Sequence, residues 1–132
     1  MKDNACPCGS GKLYEECCAR YILGIENAPS PEALMRSRFT AFSRGDLVYI
    51  EKTVCGPAKA QFDPKEAESM MRKTEWKALE VVASHECGDE GTVEFCATFT
   101  FQGQTRVMHE VSSFKKVGGT WLYYSGNVDF NH

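Results

Sequence analysis

Val93-Glu94-Phe95-Cys96-Ala97-Thr98-Phe99-Thr100-Phe101 puts an apolar side chain at every odd position and a polar or small one at every even position. A period of two marks a strand with one face in a core and the other toward water. The alternation extends outward in both directions from Trp76 onward. It gives four strands, roughly 76 to 85, 92 to 101, 105 to 117 and 120 to 128. Upstream the signals are helical. Ser30-Pro31-Glu32 combines a capping hydroxyl, a proline suited to the first helical position and a carboxylate at the positive end of the dipole. The helix it starts runs to about Arg44, closes at Gly45 and carries the stripe Leu34, Met35, Phe39 and Phe42. Asp46 caps a second helix that Gly56-Pro57 ends, and Asp63-Pro64 starts a third that reaches about Lys73. About three helices followed by a curved antiparallel sheet is an α+β architecture, with the sheet packed over the helices.

Turn lengths add a statement about the inner face. Two-residue turns at Gln102-Gly103 or Gly103-Gln104 and at Gly118-Gly119 pair odd positions of one strand with even positions of the next. Met108, Glu110, Ser112 and Phe114 then share the apolar side with Trp121, Tyr123, Ser125 and Asn127. The core is thus expected to contain a polar set, Glu110, Ser112 and Tyr123. Arg38, one turn from Leu34 on the first helix, leans over the same space, and Arg38 and Glu110 are expected to neutralise each other there. Arg36 falls toward the opposite helix face and reads as solvated.

The 132 residues carry a net charge of −3, are 42% apolar and include seven cysteines, enough for one domain and a small appendage. No basic footprint supports nucleic-acid binding. No apolar run approaches the roughly 20 residues that span a bilayer. Nothing at the start resembles the apolar core of a secretory signal, so the thiols are expected in a reducing cytoplasm.

Four cysteines fall early, in Cys6-Pro7-Cys8 and Cys17-Cys18. Four soft thiolates are what a closed tetrahedral zinc site takes. Gly9-Ser10-Gly11 lets the chain fold back, and a short helix from Lys12 has to fray or tighten at Cys17-Cys18 for both to reach one ion. Disulfides and an iron or redox site are the alternatives. Gly9-Ser10-Gly11-Lys12 is not a phosphate loop, because Cys6 and Leu13 stand where that motif needs Gly and Ser or Thr. Ala28-Pro29-Ser30-Pro31 punctuates the chain, which divides into residues 1 to 27 and 28 to 132. Cys55, Cys87 and Cys96 read as isolated thiols, and His85, His109 and His132 have no catalytic partner in view.

Residues 6 to 18, Cys-Pro-Cys-Gly-Ser-Gly-Lys-Leu-Tyr-Glu-Glu-Cys-Cys, resemble the SEC-C zinc motif found at the carboxyl end of the bacterial preprotein translocase ATPase. With Leu34-Met35-Arg36-Ser37-Arg38-Phe39, Glu75-Trp76, His109-Glu110 and Trp121-Leu122-Tyr123-Tyr124 following, nearly the whole chain resembles the YchJ-like family of bacterial proteins. The resemblance implies a nuclear-transport-factor-2-like cone, zinc ligation by Cys6, Cys8, Cys17 and Cys18, and no particular activity. Val111-Ser112-Ser113-Phe114 departs from the arginine-flanked serine of that family, which argues against a strongly cationic pocket. Two functions are expected to compete. One is a cytoplasmic adaptor whose zinc knuckle docks a protein such as a chaperone or ribosomal protein; the other is a small-molecule binder or enzyme using Arg38, Glu110, Ser112 and Tyr123. The charges of residues 1 to 20 balance before metal, so direct phosphate binding is disfavoured. An adaptor predicts a filled cone, a binder an open one.

Overall fold

The computed structural model describes residues 5 to 131, with side chains to residue 128. Lys2, Asp3 and His132 lie outside the described residues. A single 3-10 turn, Tyr14–Glu16, and a short helix α1, Ala19–Ile22, precede four further helices: α2 Pro31–Arg44, α3 Leu47–Lys52, α4 Gly56–Ala60 and α5 Pro64–Lys73. Four long strands follow: β1 Thr74–Cys87, β2 Glu90–Phe101, β3 Gln104–Val117 and β4 Thr120–Asn131. They form one antiparallel sheet in chain order, with the helices on one face. Among the described residues no helix is long and apolar enough to cross a membrane.

The end signals read from the sequence act as expected at α2. The Ser30 hydroxyl accepts from the Ala33 amide at 3.1 Å, and Gly45 closes the helix in the left-handed region at φ 74°. Ser30→Ala is expected to cost about 1 kcal/mol of unfolding free energy in chemical denaturation. Asp63 likewise caps α5. Gly56-Pro57 behaves differently: it begins α4 instead of ending the second helix. The reason lies in the segment between α3 and α4, which runs along the sheet edge. Tyr123 N–H donates to the Thr53 carbonyl at 2.8 Å, and Cys55 N–H donates to the Tyr123 carbonyl at 2.9 Å. This extended stretch stops α3 at Lys52, and the proline then serves as an early helical residue.

Both tight turns have the expected length, since Phe101 pairs with Gln104 and Val117 with Thr120. Val93, Phe95 and Ala97 therefore pack in one core with Leu34, Met35 and Phe39 of α2, completed by Phe114 and Trp121, while Phe99 packs on Trp76. One expectation fails. A bulge shifts the β3–β4 register between Ser113 and Phe114, so Phe114 faces Tyr123 but Ser112 faces Gly126. Tyr124 is the extra residue, and beyond it the alternation of β4 is inverted. Ser125 and Asn127 leave the inner face and Gly126 takes the place beside Glu110. A Cβ at Gly126 would collide with Glu110 Oε2 and the Tyr123 hydroxyl, which shows how closely these groups crowd the backbone.

Candidate functional site

The amino-terminal segment is organised around its thiols. Ala5 bridges to Leu13, and Cys6 N–H donates to the Lys12 carbonyl at 2.9 Å, folding the glycine-rich loop back on itself. Gly9 turns the chain at φ 79° with its α-carbon face close to the Leu79 carbonyl, a position where a side chain would be strained. Cys17 lies between the 3-10 turn and α1 with φ −128° and ψ −109°, so the helical path breaks where both neighbouring thiols have to converge. All four Sγ atoms lie within 4.8 Å of one another and all four residues are buried.

The spacing fits a metal. Zn–S bonds of about 2.3 Å in a tetrahedron separate sulfurs by about 3.8 Å; Cys8 and Cys17 are 3.6 Å apart, Cys17 and Cys18 4.0 Å. The cluster can therefore hold a metal ion with Cys6, Cys8, Cys17 and Cys18 as the ligands. In the metal-free set the thiols compete for protons. Hydrogen bonds from Cys18 and Cys8 hold the Cys6 thiol far below its ordinary range. Hydrogen bonds with Cys6 and Cys8, followed by burial, push Cys18 up. At Cys8 the hydrogen bond from Cys18 favours the thiolate, but the bond with Cys6 and burial outweigh it and the thiol is pushed up.

Residues not expected at this cluster brace it, two from α2 and one from its own loop. The Thr40 hydroxyl lies 3.3 Å from Cys18 Sγ and 3.6 Å from Cys6 Sγ, and the Ser10 hydroxyl 3.2 Å from Cys17 Sγ. Arg36, expected in solvent, donates from Nη1 to the Cys8 carbonyl at 2.8 Å and from Nε to Glu32 at 3.0 Å. Its stem crosses one helix face and its head holds the knuckle. These are the hydrogen bonds that orient metal ligands from outside the coordination sphere. Only the spacing of Arg36 and Thr40, one turn apart on α2, could have hinted at them. Tyr21 and Ala28, from the knuckle and the proline-rich segment, enter the main apolar core.

The polar set on the sheet also comes together. Glu110 is 7% exposed and Ser112 is fully buried. Glu110 Oε2 accepts from the Ser112 hydroxyl at 2.5 Å and from the Tyr123 hydroxyl at 2.8 Å. Burial, then the Glu110 charge, pushes the Tyr123 phenol above its ordinary range, so it remains a donor across the usual pH range. Arg38 reaches the same space without meeting Glu110 directly. Its guanidinium lies 4.7 Å from the Tyr123 ring centre, and its Nη1 donates to the Ile50 carbonyl at 3.1 Å and the Thr53 hydroxyl at 2.6 Å. The expected neutralising pair is thus relayed through a tyrosine: the ring takes the cation and the hydroxyl takes the anion. Burial pushes Arg38 down, to about 10, which leaves it charged at neutral pH. Arg38, Glu110, Ser112 and Tyr123 line one cavity of about 120 Å³ between α2 and the sheet. The cone is neither filled nor wide open.

His109 lies on the outer sheet face as expected, but it does have a partner: its Nε2 is 2.8 Å from Glu94 Oε2 on the neighbouring strand. Both are half-exposed, and they form a surface pair. Cys55, Cys87 and Cys96 are free thiols distant from the cluster in sequence, and none is fully buried.

The geometry agrees with comparisons to known proteins. The family model described as "YchJ, middle NTF2-like domain" matches residues 30–126, and the SEC-C motif matches residues 4–20. A UPF0225 protein of Geobacter sulfurreducens is 38% identical over 126 residues, covering 93% of this chain and 78% of that one. A UPF0225 protein of Streptomyces coelicolor is 38% identical over 131 residues, covering 96% and 97%. The solution structure of a SEC-C motif containing protein from Rhodopseudomonas palustris superimposes with a TM-score of 0.87 at 39% identity, covering 92% of this chain and 96% of that one.

Proposed function

The chain belongs to the YchJ family, in which a SEC-C motif precedes an NTF2-like domain, and from that premise we propose that it is a cytoplasmic zinc-binding adaptor whose amino-terminal unit, residues 1 to 27, docks a protein partner. The observation that carries this reading is the distribution of apolar side chains around the thiols. The segment buries its four cysteines but leaves Leu23 67% and Ile25 70% exposed, with Leu13 also exposed. Large apolar side chains held outward by a rigid, metal-closed knuckle favour a protein partner. Four buried cysteine sulfurs within 4.8 Å of one another suit the closed tetrahedron of a structural zinc site, and metal analysis distinguishes zinc from iron held by the same thiolates. The near balance of charge in this segment disfavours nucleic acid and anionic surfaces and favours a chaperone or a ribosome-associated protein. Capture from lysate with the parent protein and with a Leu23→Glu, Ile25→Glu double variant tests the reading. The variant should keep its zinc and lose the partner; retention of every captured protein by both this variant and Cys17→Ser overturns the proposal.

The cavity over Glu110 favours a second reading. A polar set enclosed by aromatic side chains is the usual form of a small-molecule site, and a cone serving only as a body would be expected to pack its centre. In this reading residues 28 to 132 bind a small ligand through Arg38, Glu110, Ser112 and Tyr123.

A further inference from the structure

Two buried charged groups at the cone cavity keep hydrogen-bonding capacity that no described residue uses. Arg38 is only 6% exposed, and its described hydrogen bonds both leave from Nη1, so Nε and Nη2 have no acceptor among the described residues. Glu110 receives both of its described hydrogen bonds at Oε2, so Oε1 accepts none among those residues. The two residues line one cavity and make no ion pair with each other. A buried guanidinium with no anion in direct contact is an expensive arrangement, and its remaining planar donors match the two oxygens of a carboxylate. A carboxylate oxygen in the same wall requires a donor from its ligand. Phe39, Phe42, Trp76, Phe95 and Met108 form the apolar remainder. The volume of about 120 Å³, against about 30 Å³ per molecule in liquid water, is that of about four water molecules and limits the ligand to a short one.

We propose that this cavity binds a short hydroxy acid, with its carboxylate on Arg38, its hydroxyl on Glu110 Oε1 and a small apolar end against Phe39, Phe42 and Trp76. The proposal rests on the second reading above, that the cone is a ligand site. A cationic ligand would meet Arg38 in the same wall. A purely apolar one would leave Arg38 Nε and Nη2 and Glu110 Oε1 unused.

Titration of the folded protein with lactate, propionate and the uncharged propionamide, followed by backbone amide shifts, tests it. Lactate is expected to bind with shifts centred on α2 and on Glu110 to Ser112, and propionate severalfold more weakly. Propionamide is expected to bind at least about tenfold more weakly than propionate, the worth of one charge-assisted contact. In Arg38→Gln the acid without a hydroxyl should fall to the level of the amide and the hydroxy acid should lose at least about tenfold, while the amide is unchanged. The comparison of acid with amide in the parent protein stands even where that variant does not fold. If the amide equals the acids, the hydroxy-acid proposal fails and the ligand-site reading survives. If none of the three binds at about 10 mM, the lower edge of measurable affinity, both fail.

Discussion

Removing the metal with a chelator under reducing conditions, or replacing Cys8 by Ser, is expected to release residues 5 to 27 from α2 while the four-stranded sheet stays folded. The segment has little else to hold it: apart from Ala19 and Tyr21, its buried side chains up to Ile25 are the four thiols. Structural zinc sites of this composition bind with apparent free energies of about 10–16 kcal/mol near neutral pH, and that binding energy is folding energy. Hydrogen exchange reads the outcome directly. The amides of Cys6, Cys17 and Ile22, which donate to backbone carbonyls within the segment, should approach unprotected rates, while those of Phe95 and Met108 remain slow. Unchanged protection after metal removal would show that packing against α2 suffices without an ion. The pH dependence has a definite sign. The ion takes thiolates, whereas burial and mutual hydrogen bonding keep Cys8 and Cys18 protonated in the free cluster. Metal binding therefore expels protons, and affinity should fall as pH falls, by roughly tenfold per unit for each proton displaced.

Trp121→Ala is expected to remove about 3–5 kcal/mol of stability, a large share of the usual margin of about 5–15 kcal/mol. The indole is 1% exposed, and Lys116 Nζ covers its ring at 5.3 Å. Trp121→Phe is expected to cost far less than the change in volume suggests. The indole Nε1 is buried without a hydrogen-bond partner among the described residues, so the smaller ring also removes a donor that contributes a penalty. Midpoints of urea unfolding at unchanged slope give both numbers. Equal losses in the two variants would mean that the indole nitrogen contributes favourably after all.

The sheet was legible because alternation and glycine placement act locally. Val93 to Phe101 and the pairs Gln102-Gly103 and Gly118-Gly119 specify faces and turn lengths without help from distant residues. The bulge was not legible for the same reason. Trp121, Tyr123, Ser125 and Asn127 continue a period of two on paper, and only the partner strand reveals that Tyr124 is supernumerary. Cys6, Cys8, Cys17 and Cys18 were readable because metal ligands have characteristic types and spacing. Arg36 and Thr40 were hidden because their partners are 28 and 34 residues away, and an arginine and a threonine on a helix have many ordinary uses. The tyrosine relay between Arg38 and Glu110 was half legible: register placed the groups on one side, but the order in which they touch depends on side-chain reach.

Thr40 is the most distant residue in sequence to hydrogen-bond any of the four sulfurs. By contrast, the sheet cannot close until β4, Thr120–Asn131, has been added to β3. Short loops close at small entropic cost and early in time, long ones later. During synthesis, then, the thiol cluster and the helix that supports it can come together while most of the chain is still inside the ribosome or not yet translated, and Leu79 of β1 packs against them afterwards. The order of synthesis lets the thiols gather against α2 before the sheet that later packs on them exists.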